Sequence, residues 1–192
     1  NLIKSSNIDS KPLTPKEIDS IEDREWTPLL SLPKFLGVTP DKPIISTPYI
    51  STPQKLIQKW KEILSKEKKL IIGINWQGNL EMEKRGYKGR SIPLETFSRL
   101  VDRNSISLIS LQKGFGSEQL ERCSFKEQFL ECQKSINSTW DFMENAAIIQ
   151  NCDLIITSDT SIAHLAGGMG KSTWVLLKHL PEWRWGLEGE ST

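Results

Sequence analysis

The chain has 192 residues and a formal net charge of +1; 37% of its residues are hydrophobic and 26% are charged. This composition is that of an ordinary soluble protein with one medium domain, or one domain and part of another. The nearly neutral charge argues against nucleic acid or an anionic membrane as the main partner. No apolar run approaches the roughly 20 residues that a membrane-spanning helix needs.

Cysteine and histidine usage indicates neither a disulfide framework nor a metal site. The three cysteines have no CxxC spacing, and there are only two histidines. No signal peptide opens the sequence, so we expect a cytoplasmic protein with reduced thiols and no metal or other cofactor. Because the chain begins with Asn1 and stops soon after Trp185, we also expect both ends to be cuts within a longer protein.

The first part of the chain, residues 1–50, is polar and interrupted by prolines that break regular structure. Its one apolar stretch, residues 26–38, predicts a short helix. Thr52 then has the position of an N-cap, with Pro53 as the first residue of a helix. Apolar residues at helical spacing continue that helix: Leu56, Ile57, Trp60, Ile63 and Leu64.

Strands alternate with helices from residue 70 onward. Short apolar, β-branched runs predict strands at 70–75, 106–111, 154–157 and 174–177. Helical patterns lie between them at 93–101, from 141 onward, and at 162–168. Asp141 is the predicted N-cap of the second of these helices, with Glu144 at capping-box spacing. Alternation of this kind predicts an α/β fold with right-handed crossovers and a Rossmann-like parallel sheet.

Polar turns follow three of the predicted strands. Because the carboxyl ends of parallel strands lie at one edge, where ligands bind, these turns are expected to lie close together. The residues that they supply are Gly78, Asn79, Gln112, Lys113, Asp159, Thr160 and Ser161. The last turn opens a helix, where unpaired N–H groups and the helix dipole favour an anion such as a diphosphate.

The stretch Gly168–Thr173 resembles the end of a phosphate-binding P-loop, GxxxxGK[ST]. Position 165 is Leu rather than the first glycine, however. A P-loop also follows a strand and opens a helix, whereas this stretch follows a helix and opens a strand. We therefore interpret its glycines as a helix end and a turn.

Basic residues after the first strand could neutralise a diphosphate. Arg90 lies closest to the next helix, and arginine can bind phosphate through two parallel hydrogen bonds. Lys84 and Arg85 are expected to be solvated side chains of the loop after the first strand. Lys88 belongs to the same loop. Lys113 lies at a strand end, where a role in the site is favoured.

Several candidates also have a structural interpretation, which is the favoured one for His164, Trp183 and Trp185. Gly78 could allow close approach of a ligand or simply form a turn. Asp159 could accept hydrogen bonds from sugar hydroxyls or cap the helix. His164, one turn into that helix, could be catalytic or packed, and Trp183 and Trp185 could stack on a ligand or pack beneath a loop.

The sequence resembles bacterial glycosyltransferases of the heptosyltransferase-like family, in the version attached to tetratricopeptide repeats. The resemblance runs from about Leu29 to the C-terminus. It is carried by NWQGN, GRSIPL, SLQKG, LPEWRW and, most specifically, WDFMENAAIIQNCDLIITSDTSIAHLAGGMGK.

This resemblance implies a GT-B enzyme, in which two Rossmann-like domains face each other across a cleft. It implies that residues 1–50 end the N-terminal domain, that 51–69 form the interdomain linker helix, and that 70–192 are most of the donor-binding domain. It assigns Asp159, Thr160, Ser161 and His164 to the diphosphate and sugar of a nucleotide-sugar, and Arg90 to phosphate. The catalytic base of such enzymes belongs to the N-terminal domain, and nothing in this chain matches it.

The expected function is therefore the donor half of an inverting glycosyltransferase whose acceptor is a glycan, a lipid-linked molecule or a protein. Without the base, this part alone is not expected to be active. Two alternatives remain open. One is a nucleotide-sugar epimerase of the same fold, and the other is a non-catalytic nucleotide-sugar binding module.

Overall fold

A computed structural model describes residues 2–22, 25–39, 42, 48–84, 89–100 and 104–185, with the side chain of Trp183 excepted. None of the helices in these ranges combines the length and the hydrophobicity that a membrane span requires. Arg85 and Lys88, named above, and residue 101, the last of the helix predicted at 93–101, lie outside the described residues. The α-helices are α1 (Leu2–Ser5), α2 (Pro15–Ile18), α3 (Leu32–Phe35), α4 (Gln54–Leu64), α5 (Leu80–Met82), α6 (Gln133–Asn137), α7 (Phe142–Gln150) and α8 (Ser161–Gly168).

Short 3-10 helices account for much of the remaining regular structure. They lie at Leu29–Ser31, Leu94–Leu100, Ser117–Glu121, Lys126–Gln128 and Trp183–Trp185. The helix predicted at 93–101 is thus a 3-10 helix, and the short helix predicted within 26–38 is formed by a 3-10 turn followed by α3.

Four parallel strands form one sheet in the order β2-β1-β3-β4. They are β1 (Leu70–Asn75), β2 (Ile106–Ser110), β3 (Leu154–Ser158) and β4 (Thr173–Leu176). In the centre of the sheet, Asn75 at the end of β1 is in register with Thr157 of β3. The α/β class and the parallel sheet predicted from sequence are confirmed, and the strand order is consistent with a Rossmann-like fold.

The sheet is covered on both faces because its strands are apolar on both sides. Ile71 of β1 packs in a cluster with Trp60 of α4 and Ile149 of α7. Ile72 and its neighbours pack on the opposite face against the 3-10 helix at Leu94–Leu100. Helices α4, α7 and α8 therefore lie on one face of the sheet, and the 3-10 helix lies on the other.

Helix α4 is joined to α7 by a polar contact at a buried tryptophan. Trp60 of α4 is only 1% exposed, and its indole N–H donates to the carboxylate of Glu144 in α7. Lys59 Nζ donates to the same carboxylate at 2.7 Å. Glu144 therefore does not complete a capping box, because a buried indole N–H needs this acceptor.

Of the two helix caps predicted from the sequence, the structure contains the one at α7 but not the one at α4. Asp141 caps α7 as predicted, since its Oδ1 accepts a hydrogen bond from Met143 N at 3.0 Å. Thr52 does not cap α4. The N-cap is Pro53, and the buried Thr52 hydroxyl has no partner among the described residues.

The stretch Gly168–Thr173, which resembles the end of a P-loop, forms the helix end and turn predicted for it. Gly168 ends α8, Gly170 adopts φ +71°, and β4 begins at Thr173. Gly168 O also accepts hydrogen bonds from Tyr49 N and Ile50 N, both at 2.9 Å. These glycines therefore form a helix end, a left-handed turn and a docking point for the extended segment before α4.

Candidate functional site

A cavity of about 510 Å³ lies at the carboxyl edge of the sheet. The chain leaves β1 toward β2 on one side and leaves β3 toward β4 on the other, so the cavity lies at the switch point of the sheet, where ligands bind in open α/β folds. The predicted site residues that line the cavity are Gly78, Asn79, Arg90, Gln112, Lys113, Thr160 and Ser161.

Asn75, the last residue of β1, connects three of the elements around the cavity. Its Nδ2 donates to Gln112 Oε1 at 3.0 Å, and its Oδ1 accepts from the Thr160 hydroxyl at 3.0 Å. The Thr157 hydroxyl lies 3.4 Å from the same oxygen. Because Asn75 is 5% exposed, these bonds are shielded from water and hold the ends of the strands in a fixed arrangement.

Gln112 positions the loop after β1 and has little capacity left for a ligand. Its Oε1 accepts from Asn75 Nδ2 and from the backbone amides of Trp76 and Gln77, at 3.3 and 2.9 Å. Its Nε2 donates to Phe115 O at 2.8 Å. Gln112 lines the cavity, but its polar atoms bind the protein.

Arg90 packs directly on Gly78. A Cβ atom at position 78 would lie 2.8 Å from both Nε and Nη2 of Arg90, closer than real side chains approach. The glycine therefore provides the close approach that the sequence indicated, but for a guanidinium group rather than for a ligand. Arg90 Nε is buried and has no hydrogen-bond partner in the described part of the chain.

The first turn of α8 presents unpaired groups to the cavity. Thr160 is the N-cap, and its hydroxyl accepts from Ile162 N at 3.3 Å while it donates to Asn75. Ala163 N donates to Thr160 O at 3.0 Å. The amide and hydroxyl of exposed Ser161 remain available, with the positive end of the helix dipole behind them.

Lys113 directs its amine away from the centre of the cavity. Nζ donates to the carbonyl oxygen of Ile136 in α6 and lies 3.4 Å from the Thr139 hydroxyl. Burial lowers the pKa of Lys113 to about 8. The lysine therefore fastens the α6–α7 connection to the end of β2, and its stem lines the cavity.

Asp159 and His164 do not line the cavity. Asp159 is partly buried, and the cap of α8 is supplied by the next residue, Thr160. His164 stacks on Trp185 with ring centroids 5.0 Å apart. Partial burial, followed by the nearby Arg184, lowers the pKa of His164. His164 is exposed and stacks on Trp185 outside the cavity lining, and the roles considered for the two residues stay predictions.

Lys84 and Asn79, in the loop after β1, both interact with Glu81. Lys84 pairs with Glu81 at 2.7 Å on an exposed surface, as expected for a solvated loop. Asn79 lies at the rim and caps α5, since its Oδ1 accepts from Glu81 N at 2.9 Å.

Several residues that line the cavity were not among the individual site residues predicted from the sequence, although Asn75 and Gln77 lie in the polar turn expected at this edge. The full set is Asn75, Gln77, Leu111, Phe115, Trp140, Phe142, Asn145 and Ile162. Asn145 stands directly before the apolar run Ala146–Ile149 of α7, and a polar residue at the start of a buried run was a usable signal. The polar end of the buried β1, Asn75, was another.

The cavity lining is suited to an anion. Arg90 is the charged group at its wall, Lys113 contributes only its stem, and no acidic side chain is present among the described residues that line it. Three lining residues carry a buried polar atom without a partner in the described structure: Gln77 (Nε2), Arg90 (Nε) and Asn145 (Oδ1). Within the same described ranges, no group of three or more His, Cys, Asp or Glu side chains could hold a metal ion.

Fold and site together define an α/β domain with a parallel, Rossmann-like sheet and a cavity at its switch point whose wall carries Arg90. Comparisons of the chain with protein-family models, with curated proteins and with solved structures found no match.

Proposed function

We propose that the cavity binds the diphosphate of a nucleotide-sugar, and that the chain is the donor-binding half of an inverting GT-B glycosyltransferase. The first part of this proposal rests on the geometry of the cavity. The second part rests on the resemblance of the NWQGN, SLQKG and SDTSIAH segments to heptosyltransferase-like enzymes, because the comparisons provide no relative.

The observation that carries the proposal is the unpartnered Arg90 guanidinium. Gly78 leaves room for the group at the cavity wall, and Nε is buried with no protein acceptor among the described residues. Leaving a buried charged donor unsatisfied costs about 1–3 kcal/mol or more. An anionic ligand would supply the missing acceptor, and a phosphate accepts two parallel bonds from arginine.

The start of α8 supports binding of the same anion. Ser161 offers an amide and a hydroxyl, and the dipole of α8 favours negative charge at this end. Asn75 holds the Thr160 cap, so the amide direction is fixed before a ligand binds. In a glycosyl transfer these groups would stabilise the charge that develops on the nucleotide diphosphate as it leaves.

Among its described residues, the cavity lining has no side chain suited to deprotonate an acceptor. No carboxylate, imidazole or thiol lines it in the ranges that the structure describes. This favours the division of labour expected of a GT-B enzyme, in which the base belongs to the facing domain. It equally favours a second candidate function, a non-catalytic module that binds a nucleotide-sugar.

Titration calorimetry with nucleoside diphosphates tests the binding part of the proposal. Arg90→Ala should weaken the affinity by about tenfold to a hundredfold, the scale of a lost hydrogen bond to a charged group. Lys84→Ala is the matched control, because Lys84 is exposed and paired with Glu81. Equal affinities in wild type and Arg90→Ala would refute the proposed site.

Product analysis separates the enzyme classes. A full-length protein that contains this chain is incubated with a nucleotide-sugar, with and without candidate acceptors. Release of nucleoside diphosphate only when acceptor is present supports the glycosyltransferase. Conversion of the sugar without acceptor would indicate an epimerase instead, and tight binding without turnover would indicate the binding module.

A further inference from the structure

Three aromatic side chains line one part of the cavity and remain accessible to solvent. Phe115 is 75% exposed, Trp140 is 72% exposed and Phe142 is 47% exposed. Single exposed aromatic residues are common on protein surfaces, but three around one cavity provide a surface on which a flat ring can stack.

A buried amide lies beside this aromatic surface. Asn145 of α7 lines the cavity and is 6% exposed, and its Oδ1 has no hydrogen-bond partner among the described residues. Its helix neighbours Ala146 and Ala147 are fully buried in the core. A buried amide oxygen without a partner is costly, so a ligand N–H that reaches it would be favoured.

Trp140 is held at the rim by protein contacts. Lys113 Nζ donates to Ile136 O and lies 3.4 Å from the hydroxyl of Thr139, the residue just before the tryptophan. The indole also packs over Gly114, since a Cβ there would lie 3.9 Å from Trp140 Cη2. The backbone just before the tryptophan is therefore held by the protein, while the ring itself remains accessible to a ligand.

We infer that Trp140, Phe142 and Asn145 form the nucleobase subsite of the cavity. The base would stack on the aromatic surface, and an N–H on its edge would donate to Asn145 Oδ1. This inference rests on the proposed binding of a nucleotide diphosphate, whose phosphates bind at Arg90 and Ser161. It also moves the stacking role away from Trp185, whose ring is stacked on His164.

The test measures the affinities of the full chain for ADP, UDP, GDP and inorganic pyrophosphate by titration calorimetry. Trp140→Ala should weaken binding of the nucleoside diphosphates that bind wild type by roughly tenfold or more, the scale of one base–aromatic stack. Pyrophosphate affinity should stay unchanged. Trp26→Ala is the matched control, since Trp26 is 83% exposed and lies outside the cavity lining.

A second pair of variants examines the amide. Asn145→Leu should weaken the nucleoside diphosphates but not pyrophosphate, whereas Asn145→Asp, which keeps an acceptor, should retain more affinity for the base. Thermal melting verifies that each variant is folded, and because Trp140 is exposed, its variant is expected to melt like wild type.

The outcomes distinguish this inference from the proposed function. If Trp140→Ala and Asn145→Leu bind nucleoside diphosphates as tightly as wild type while Arg90→Ala does not, the nucleobase subsite is wrong and the diphosphate site stands. If Trp140→Ala weakens pyrophosphate equally, the effect is structural and the inference fails. If wild type binds none of the four molecules, both the inference and the proposed function fail.

Discussion

The Thr160 hydroxyl donates to Asn75 Oδ1 at 3.0 Å and thereby connects the carboxyl ends of β3 and β1. The two residues are far apart in sequence but meet at the switch point of the sheet. Asn75 also donates to Gln112 Oε1, so one amide joins three of the loops that surround the cavity. The start of α8 is therefore positioned by the protein itself before any ligand arrives.

Replacement of Asn75 should test that relationship. Asn75→Ala removes a buried donor and acceptor and leaves Gln112 and Thr160 with fewer partners. We expect the free energy of unfolding to fall by about 1–3 kcal/mol in urea denaturation. Gln150→Ala, at an exposed amide at the end of α7, should cost much less. Similar losses in both variants would contradict the role given to Asn75.

Gly78→Ala should act through Arg90. The new methyl group would lie 2.8 Å from two guanidinium nitrogens, so the arginine must move while the core is untouched. Affinity for nucleoside diphosphates should drop toward that of Arg90→Ala, with a smaller change in stability. The measurement is titration calorimetry paired with thermal melting.

Gly167→Ala is the matched glycine control. No atom lies within 4 Å of a Cβ at this position, which is in the last turn of α8. The change should leave nucleotide affinity unaltered and raise stability by up to about 0.5–1 kcal/mol, the helix preference of alanine over glycine. A loss of affinity equal to that of Gly78→Ala would show that the effect is not specific to Arg90.

Because folded Lys113 loses its proton more readily than unfolded Lys113, the free energy of unfolding should rise with pH in the alkaline range. Burial lowers its pKa from 10.5 to about 8, so between these values the unfolded chain holds a proton that the folded protein has released. Raising the pH therefore favours folding over this range. In urea denaturation, wild type should gain stability relative to Lys113→Met between pH 8 and 10.5. Lys55→Met, at an exposed position of α4, should keep the slope of wild type.

Protonation of Glu144 should lower the free energy of unfolding at acidic pH. Burial alone would raise its pKa, but the hydrogen bonds from Lys59 and Trp60 outweigh burial and lower the pKa below 4.5. Protonation then favours the unfolded chain as the pH falls through the folded value. Glu144→Gln should be less stable than wild type at pH 7, and the gap should narrow as the pH falls below 4.5, the ordinary pKa of the carboxyl group. If the gap stays constant with pH, the ionised carboxylate is not what joins α4 to α7.

The control for that prediction is Glu131→Gln, at an exposed position just before α6. It should change neither the stability at neutral pH nor the acid dependence of wild type. Parallel acid curves for Glu131→Gln and wild type would assign the difference seen in Glu144→Gln to the α4–α7 contact.

The strands and the location of the cavity could be predicted from the sequence because they depend on local patterns. A short β-branched run predicted β1 at residues 70–75, and the structure has the same bounds. The polar turns after β1, β2 and β3 lie at one edge because the strands are parallel. The domain boundaries and the ligand roles of the site residues remain predictions.

The pairings between distant residues could not be predicted from local patterns. Asn75 with Gln112 and Trp60 with Glu144 depend on how helices pack on the sheet, which sequence spacing does not encode. The direction of a side chain is equally non-local. Lys113 lies at the predicted strand end, but its amine binds the α6 carbonyl because that helix passes within reach.

The most direct test of the account is the location of a bound nucleoside diphosphate by nitrogen–proton NMR of the full chain. On titration with ADP, UDP or GDP, the backbone amides of Gly78 and Ser161 and the Nε resonance of Arg90 should shift together and saturate with a single Kd. The Trp26 indole resonance, outside the cavity, should not move. Absence of shifts at all three groups, or saturable shifts confined to other regions, would contradict a diphosphate site at this cavity.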